Sequence, residues 1–541
     1  MLISLLVTLV FGAIYFYVQL PALNIHAADF YTFVFLLCAV YCICSIFITG
    51  FRAAGIRDYL NHLIKKCTIP VIIVAVLVAA GVLGTLAGSV FLRAKAYAKL
   101  LPLEAGDFAQ EVEEVTWDQI PKLDENSANT LANKKMGELS DLVSQFEVNP
   151  ESVQINYQDR PVRAAYLDYG GVIKWWNNRR NGIPAYLLID MVTQEVSVQR
   201  LEQGMKYSPS EIFNRNIYRH LRFRYPTKMF YDVYFEVADD GTPYWCATTV
   251  TKTIGLFGGT DVTGAVLINA VTGEGEFYEI GSVPSWVDRV CSARLIMEQY
   301  DYYGLYQGGF WNSILGQSGC TKTTSGYNYI AMDDDVWVYT GVTSVGGDES
   351  NLGFILVNQR TKESRYYSCA GANENAGMNS AEGAVQQYSY RATFPILLNI
   401  GGEPTYFMAL KDASQLVKMY AMVNVSQYQI VATGSTVEEC QESYAALMQK
   451  NGIVEVPPVP EKESGEITGR VAEIRSSVMD GDTYYFIRLQ EGPEYYLING
   501  KEYPVATILN VEDKVTITYY MGDTEEDGAE EIRTGVSMKR K

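Results

Sequence analysis

Three long apolar segments open the chain. Residues 2–20, 30–51 and 69–92 contain no charged side chain, and each is close to the roughly 20 apolar residues that a helix needs to cross a hydrocarbon core of about 30 Å. The first segment has no basic stretch before it, and two further segments follow it. The pattern therefore predicts three transmembrane helices within residues 1–92, and not a cleaved signal peptide.

Beyond residue 92 the continuous apolar runs give way to shorter, alternating ones. Residues 93–154 are interrupted by prolines and have a helix-forming composition over 124–146, which predicts a helical connector. Residues 155–453 alternate β-rich and helical segments. The prolines and mixed charges of 454–464 predict an extended linker, and the alternating pattern of 465–541 predicts a separate small unit of short strands.

One phrase recurs within the β-rich region. The stretches 187-LLIDMVTQEVSVQRL-201, 266-VLINAVTGEGEFYEI-280 and 355-ILVNQRTKESRYYSC-369 each contain an apolar strand, Asn or Asp, two residues, Thr, one residue and Glu. Trp245 and Trp337 each begin the pattern Trp-x-x-Thr-x-Val-Thr upstream of it, and 402–412 is a fainter copy. The repetition predicts a duplicated antiparallel meander with polar turns.

Helical signals separate the meanders, so each unit is expected to pair a sheet with a helix. The signals are the capping box Ser208-Pro209-Ser210-Glu211, which predicts a helix over 210–225; the apolar stripe Trp286, Val290, Ala293 and Met297; and the capping box of Thr436 and Glu439, whose helix is predicted to stop at Asn451-Gly452.

The repeated ending resembles that of PepSY-type modules, in which a helix packs on a small antiparallel sheet. The matching residues are Ile268, Asn269, Thr272, Gly273 and Glu274, with partial matches at Asp190, Thr193, Glu195 and at Asn358, Thr361, Glu363. The whole chain is similar to uncharacterised Gram-positive bacterial membrane proteins with PepSY-like repeats. The resemblance implies an α+β repeat domain of non-catalytic, extracytoplasmic modules that bind or restrain a partner, sometimes a peptidase. The tail, 465–541, resembles a small all-β OB-like barrel.

Charge favours a soluble part that lies outside the cell. Residues 1–100 hold seven of the 43 Lys and Arg residues and two of the 62 Asp and Glu residues, so the remainder carries a formal charge of −24. Such a field repels nucleic acid. The segment 52–66 has four basic residues and 21–29 has none, which predicts a cytoplasmic N-terminus and an extracytoplasmic C-terminal bulk. Arg93, Lys95 and Lys99 act against this orientation.

Catalytic and metal signals are weak. His220 is the one histidine beyond the membrane segments, so a Ser-His-Asp triad or a His-rich zinc site is not expected. The glycine-rich 255–264 lacks the Lys-Ser or Lys-Thr of a phosphate loop. Asp239-Asp240 and 333–335 lack calcium-loop spacing and are interpreted as turn acids. The widely spaced Cys246, Cys291, Cys320, Cys369 and Cys440 are expected to be buried free thiols.

Two groups of residues are candidate contact surfaces. Arg215, Arg219 and Arg222 share one face of the predicted helix, in a domain that is otherwise acidic. The face is either open to an anionic partner or paired internally with the surplus carboxylates. The adjacent Trp175 and Trp176 are typical interface anchors, and we expect one to lie in the core and the other to be available for contact.

The sequence thus predicts a non-enzymatic binding or scaffold protein, integral to the bacterial plasma membrane, without cofactor, metal or nucleic acid. Its expected partner is a protein or an anionic polymer of the cell envelope. Two alternatives stay open: a regulator or inhibitor of a membrane-associated peptidase, and an envelope enzyme that uses carboxylates alone. Paired carboxylates facing one cleft would favour the enzyme.

Overall fold

The computed structural model describes residues 2–50, 55–114, 120–158, 160–332, 335–346, 350–453, 464–479, 482–501, 503–527 and 530–540. The chain divides into two units, residues 1–456 and 457–541. The predicted linker 454–464 lies outside the described residues, except for Ser464, which begins a strand.

Three N-terminal helices are long and apolar enough to cross a membrane, as the sequence predicted. They are α1 (Leu2–Gln19), α2 (Ala28–Gly50) and α3 (Ile56–Ala87). The third differs from its predicted range of 69–92. It begins at Ile56 because the basic segment before residue 69 is itself helical, and it ends at Gly88, whose N–H bonds to the carbonyl of Gly84. A short helix, α4 (Val90–Tyr97), follows this break.

The segment predicted as a helical connector also contributes strands to the sheets, which corrects that prediction. Its elements after α4 are β1 (Glu104–Gly106), α5 (Phe108–Glu111), α6 (Glu125–Glu138) and β2 (Phe146–Val148). Strand β1 pairs in parallel with residues 365–367, far along the chain. A three-residue strand is too short to form a recognisable pattern, so this long-range pairing could not be predicted from the sequence.

The region after the connector contains a four-stranded sheet and then a second one. The first sheet is formed by β3 (Val153–Tyr157), β4 (Arg160–Ala165), β6 (Ile183–Asp190) and β7 (Val196–Met205); between them lie β5 (Leu167–Tyr169), which pairs with β2, and α7 (Val172–Asn178). The second follows α8 (Ile217–Arg224) and consists of β8 (Met229–Val237), β9 (Pro243–Ile254), β10 (Gly258–Asn269) and β11 (Gly275–Glu279).

Two further sheets complete this unit. The third follows α9 (Ala293–Tyr306) and contains β12 (Thr321–Thr323), β13 (Asn328–Met332), β14 (Asp335–Ser344), β15 (Ser350–Asn358) and β16 (Ser364–Ala372). The fourth follows α10 (Glu374–Ala384) and contains β17 (Arg391–Ala392), β18 (Ile396–Ile400), β19 (Glu403–Lys411), β20 (Val417–Asn424) and β21 (Val431–Gly434), before α11 (Val437–Lys450). The described residues thus form four helix-plus-meander units, where the sequence showed three clear copies and a faint fourth.

The recurring phrase is the turn between the last two strands in each of the first three meanders. Oδ1 of Asp190, Asn269 and Asn358 accepts two main-chain N–H bonds each, from the residues two and three positions later, at 2.8 to 2.9 Å. The Asn or Asp therefore closes the turn, as the sequence predicted. The fourth residue after the Asn or Asp has a positive φ in every copy: Gln194 at 65°, Gly273 at 77° and Lys362 at 67°.

Two predicted helix starts are wrong. Ser208 accepts a hydrogen bond from the N–H of Glu211, as a capping residue would. The chain nevertheless does not continue as a helix, because Phe213 has φ of +58°, and α8 begins only after Asn216, which caps it. The stripe that starts at Trp286 is likewise helical only from Ala293. The capping box of Thr436 and Glu439 and the stop at Asn451-Gly452 are confirmed.

The C-terminal unit is a closed five-stranded barrel. Its strands are β22 (Ser464–Met479), β23 (Asp482–Leu489), β24 (Tyr495–Asn499), β25 (Lys514–Asp527) and β26 (Glu530–Arg540), paired around the barrel in the order β22-β23-β24-β26-β25. Strands β24 and β26 run parallel and the other pairs are antiparallel. A buried cluster that includes Val471, Ile487 and Ile517 fills its interior.

Candidate functional site

A cavity of about 830 Å³ lies where the four helix-plus-meander units meet, and we call it the central cavity. Every unit contributes to its lining. The first contributes Arg163 and Tyr166, the second Tyr218 and residues 230–235, the third Arg289 and residues 327–329, and the fourth Phe394, Ile396 and residues 407–409. A site built from all four units can form only in the complete domain.

Aromatic side chains dominate the wall of the central cavity. They include Tyr166, Tyr218, Phe230, Tyr231, Tyr234, Phe235, Tyr327, Tyr329, Phe394 and Phe407. Such rings combine an apolar face with, in tyrosine, a polar tip, so they bind ligands that have both characters. The volume is within the range of small-molecule sites, and the wall combines these rings with polar and charged side chains.

Arg163 is the most deeply buried charge in this wall. It lies on β4 with 6% of its surface exposed. Its Nη1 donates to the carbonyl of Ser152 at 2.9 Å, and the nearest carboxylate oxygen, on Glu125, is 3.9 Å away. Its Nε has no hydrogen-bond partner among the residues that the structure describes. Burial lowers the pKa of Arg163; Glu125 acts against that change and Arg289 adds to it.

Arg289 is the second cation of the central cavity, and it is held by tyrosines. Its Nη2 donates to the hydroxyl of Tyr329 at 2.7 Å, and its guanidinium carbon lies 4.5 Å from the ring centroid of Tyr234 and 4.9 Å from that of Tyr329. Its Nε also lacks a hydrogen-bond partner in the described part of the chain. Among the described residues, no carboxylate forms a salt bridge with Arg289. Within the described residues, the only carboxylate at ion-pair distance from either guanidinium group is that of Glu125, which lies 3.9 Å from Arg163 and is not hydrogen-bonded to it.

Two carboxylates around the central cavity, Asp232 in the lining and Glu236 behind it, have partners other than the two guanidinium groups, whereas Glu125 lies 3.9 Å from Arg163. Asp232 accepts from the hydroxyl of Tyr234 at 3.0 Å and lies 3.6 Å from Nη2 of Arg294. Glu236, behind the wall, is fully buried; its Oε1 accepts from the main-chain N–H of Arg289 at 3.0 Å, and its Oε2 has no partner. Burial raises the pKa of Glu236 to about 8. Its neutral form is therefore favoured at neutral pH.

Two of the three arginines of the predicted face, Arg219 and Arg222, bind main-chain carbonyls at the end of α1. Nε of Arg219 donates to the carbonyl of Tyr17 at 3.1 Å, and Nε of Arg222 donates to the carbonyl of Leu20 at 2.9 Å. The last carbonyls of a helix have no partner within the helix, so these arginines cap the C-terminal end of α1. Arg222, which is 8% exposed, also donates to the carbonyl of Lys228 at 2.6 Å.

These contacts match neither of the two interpretations drawn from sequence. Arg219 and Arg222 bind main-chain carbonyls, and the described residues include no carboxylate in a salt bridge with either. The guanidinium of Arg219 also lies 4.4 Å from the ring centroid of Tyr17. The face therefore fastens the soluble domain to the first membrane helix. A contact of Arg215, Arg219 and Arg222 with an anionic partner stays a prediction.

Trp175 and Trp176 divide as expected between core and surface. Trp175 is 6% exposed and its Nε1 donates to Glu211 at 2.8 Å, whereas Trp176 is 59% exposed and carries the guanidinium of Arg179 at 3.4 Å from its ring centroid. Arg215 reaches the same helix, because its Nη1 donates to the carbonyl of Arg179 at 2.5 Å. The two candidate surfaces are thus neighbours.

The other residues singled out from sequence have structural roles. The ring of His220 bonds to the carbonyl of Gly273 at 2.8 Å, and burial lowers its pKa. Asp240 holds a turn by accepting from the N–H of Thr242 at 2.9 Å, and Asp335 forms a salt bridge with Arg360 at 2.6 Å. The remaining two acids of the run 333–335 lie outside the described residues. The five cysteines of the soluble region are buried and unbridged.

Sequence reasoning missed Arg163 and Arg289. The one available signal was Arg163 itself, a charge inside the apolar run 162-VRAAYL-167. No protein-family model matches the chain, and no curated protein matches it.

Proposed function

We propose that the chain is a membrane-anchored binding protein whose ligand occupies the central cavity. The observation that carries this proposal is the pair Arg163 and Arg289, two guanidinium groups that line one cavity and to which no described carboxylate is hydrogen-bonded. A buried cation is costly unless it is paired. A ligand that supplies a negative charge would remove this cost, so binding energy is available there.

The lining also indicates the class of ligand. An acidic group, carboxylate or phosphate, is recognised by the two arginines, since guanidinium forms charge-assisted hydrogen bonds with both. The tyrosine and phenylalanine wall accommodates an attached ring or apolar portion of the same ligand. The lining also contains Asp124, Glu125, Glu151 and Asp232, so Arg163 and Arg289 provide one cationic point and not a positively charged wall. The ligand is thus a small organic anion with an aromatic or apolar part.

We further propose that each helix-plus-meander unit is a PepSY-like module and that the C-terminal barrel is OB-like. A helix combined with an antiparallel meander in each of the four units supports the first, and a closed five-stranded barrel with one parallel pair supports the second. Both belong to a protein of the cell envelope whose bulk is extracytoplasmic. Protease added to wall-stripped intact cells should then cut within 454–464; protection of this segment together with cytosolic markers would reverse the orientation.

Binding can be tested with the detergent-solubilised full chain and phenyl phosphate as probe. Phenol, the matched neutral molecule, serves as the control ligand. We expect phenyl phosphate to raise the melting temperature and to bind in calorimetry, and phenol to do neither. Arg163→Gln and Arg289→Lys should each weaken binding about tenfold or more, because loss of one charge-assisted hydrogen bond costs roughly 1.5–3 kcal/mol.

Arg294→Gln is the matched control variant. Arg294 is exposed and lies beside the cavity lining through Asp232, so its removal changes the charge by the same amount as Arg163→Gln and leaves both Arg163 and Arg289 in place. Its affinity for phenyl phosphate should stay close to that of the natural chain. Equal affinity in all variants, or no binding of phenyl phosphate by the natural chain, would contradict the proposed ligand class.

A further inference from the structure

Apolar side chains are exposed at two places on the soluble domain, close to the ends of the membrane helices. The α7 patch consists of Val172, Ile173, Trp176 and Phe213, which are 59% to 78% exposed. The Trp311 patch consists of Trp311, Ile314 and Leu315, which are 53% to 77% exposed. Contiguous exposed apolar side chains of this size indicate an interaction surface.

The α7 patch continues from the end of α1. The carbonyl of Phe213 accepts a hydrogen bond from Nη1 of Arg219 at 2.6 Å, and Nε of the same side chain caps α1 at Tyr17. The hydroxyl of Tyr17 donates to the neighbouring Asn214 at 3.4 Å. Phe223 packs on Phe16 with ring centroids 5.4 Å apart. Phe213 of the patch is thus the neighbour in sequence of Asn214, which contacts the last turn of α1.

The Trp311 patch continues from the end of α3 in the same way. Phe91 follows the break at Gly88, and its ring centroid lies 5.2 Å from that of Phe310 and 6.0 Å from that of Trp311. Phe91 is itself 55% exposed. The C-terminal ends of α1 and α3 both face the soluble domain, so the two patches lie at the same side of the membrane segment.

We propose that both patches insert into the interfacial region of the lipid leaflet that faces the soluble domain. The two patches lie next to the ends of two membrane-spanning helices, and this position identifies lipid as the occupant. A surface next to the end of such a helix lies at the level of the lipid headgroups. Trp at both patches is typical of this layer. Arg179 and Arg180 flank the α7 patch and Arg93 flanks the other, which adds attraction to anionic headgroups.

This seating gives the soluble domain a fixed orientation. Two insertion points, together with the bonds of Arg219 and Arg222 to α1, hold the domain against the bilayer and remove its freedom to swing about the third helix. The glycine-rich hairpin 255–264 is a further attachment between the soluble domain and the membrane segment. The carbonyl of Leu256 in it bonds to the ring of His26 at 2.8 Å, and Phe257 packs on Tyr31 at 5.3 Å.

The test uses the full chain reconstituted in vesicles of brominated phosphatidylcholine, whose bromine quenches nearby tryptophan fluorescence. Trp176→Phe and Trp311→Phe should each remove a quenched component of the emission. Trp286→Phe is the control, because Trp286 packs on Tyr244, at the start of β9, and the hairpin that touches the membrane helices is at its other end, roughly 33 Å away. This variant should remove an unquenched component.

A second pair of variants tests insertion directly. Ile173→Glu and Leu315→Glu should each lower the quenching of the tryptophan in the same patch, with an unchanged melting temperature, since both side chains are exposed. Leu416→Glu, at an exposed position in the turn between β19 and β20, is the control and should change nothing. Adding phosphatidylglycerol to the vesicles should increase quenching at Trp176.

Two outcomes would overturn the proposal. One is that Trp176 and Trp311 are no more quenched than Trp286. The other is a crosslinked dimer in the vesicles that Ile173→Glu abolishes while quenching at both patches is absent, which would assign the patches to a second copy of the chain.

Discussion

The three copies of the repeated turn make different demands on one side chain, which can be tested with a single type of substitution. Oδ1 performs the same task in Asp190, Asn269 and Asn358. The second polar atom differs: Oδ2 of Asp190 lies 2.9 Å from Nη2 of Arg160, Nδ2 of Asn269 bonds to no described residue, and Nδ2 of Asn358 donates to Asp335 at 2.7 Å. Replacing Asn by Asp should therefore be tolerated in one copy and harmful in the other.

The magnitude follows from the burial around Asn358. Asn358 and Asp335 are 3% and 5% exposed, so Asn358→Asp places two carboxylates within hydrogen-bond distance in a buried site. The variant loses a hydrogen bond to a charged acceptor, worth about 1.5–3 kcal/mol. One carboxyl can instead take up a proton, which at pH 7 costs about 4 kcal/mol for an ordinary aspartate. We expect a destabilisation of roughly 2–4 kcal/mol, moderated by Arg360.

Asn269→Asp is the matched control. It keeps the Oδ1 acceptor that Asp190 supplies in the first copy, so its free energy of unfolding should change by about 0.5 kcal/mol or less. The assay is the melting temperature of the solubilised full chain at pH 7 and again near pH 4. The deficit of Asn358→Asp should shrink at the lower pH, because the shared proton is then nearly free. Equal melting temperatures of the two variants at pH 7 would refute the reasoning.

Two more predictions concern buried charges. Since the pKa of Glu236 is raised in the folded chain, the folded state keeps a proton that the unfolded state releases between about pH 4.5 and pH 8. The free energy of unfolding therefore falls by about 1.4 kcal/mol for each pH unit in this range. Glu236→Gln should therefore gain stability relative to the natural chain as pH rises from 5 to 8, and parallel pH profiles of the two melting temperatures would contradict this. Arg222→Met should leave the carbonyls of Leu20 and Lys228 without their donor and lower the melting temperature, whereas Arg224→Met, an exposed change on the same helix, should have little effect; equal effects would argue against the capping of α1.

The sequence by itself determined the features that depend on neighbouring residues. Three apolar segments are sufficient to predict three helices that can span a membrane, because length and the absence of charge decide this. The Asn-x-x-Thr phrase is sufficient to predict its turn, since Asn269 accepts hydrogen bonds only from residues two and three positions along the chain. The capping box at Thr436 is equally local. The failed prediction at Ser208 shows the limit, because the positive φ of Phe213, five residues later, prevents a continuous helix from the capping box.

Only the tertiary structure decided what the arginines do. Arg222 reads as a surface cation beside its neighbours in sequence, but its partner carbonyl, on Leu20, lies 202 positions away. Arg163 and Arg289 belong to different repeat units, and their meeting in the central cavity depends on how whole sheets pack. Hydrophobic periodicity indicates which face of a strand is buried, but not which other element covers it. Side chains that act between units are therefore specified by the packing of the complete domain.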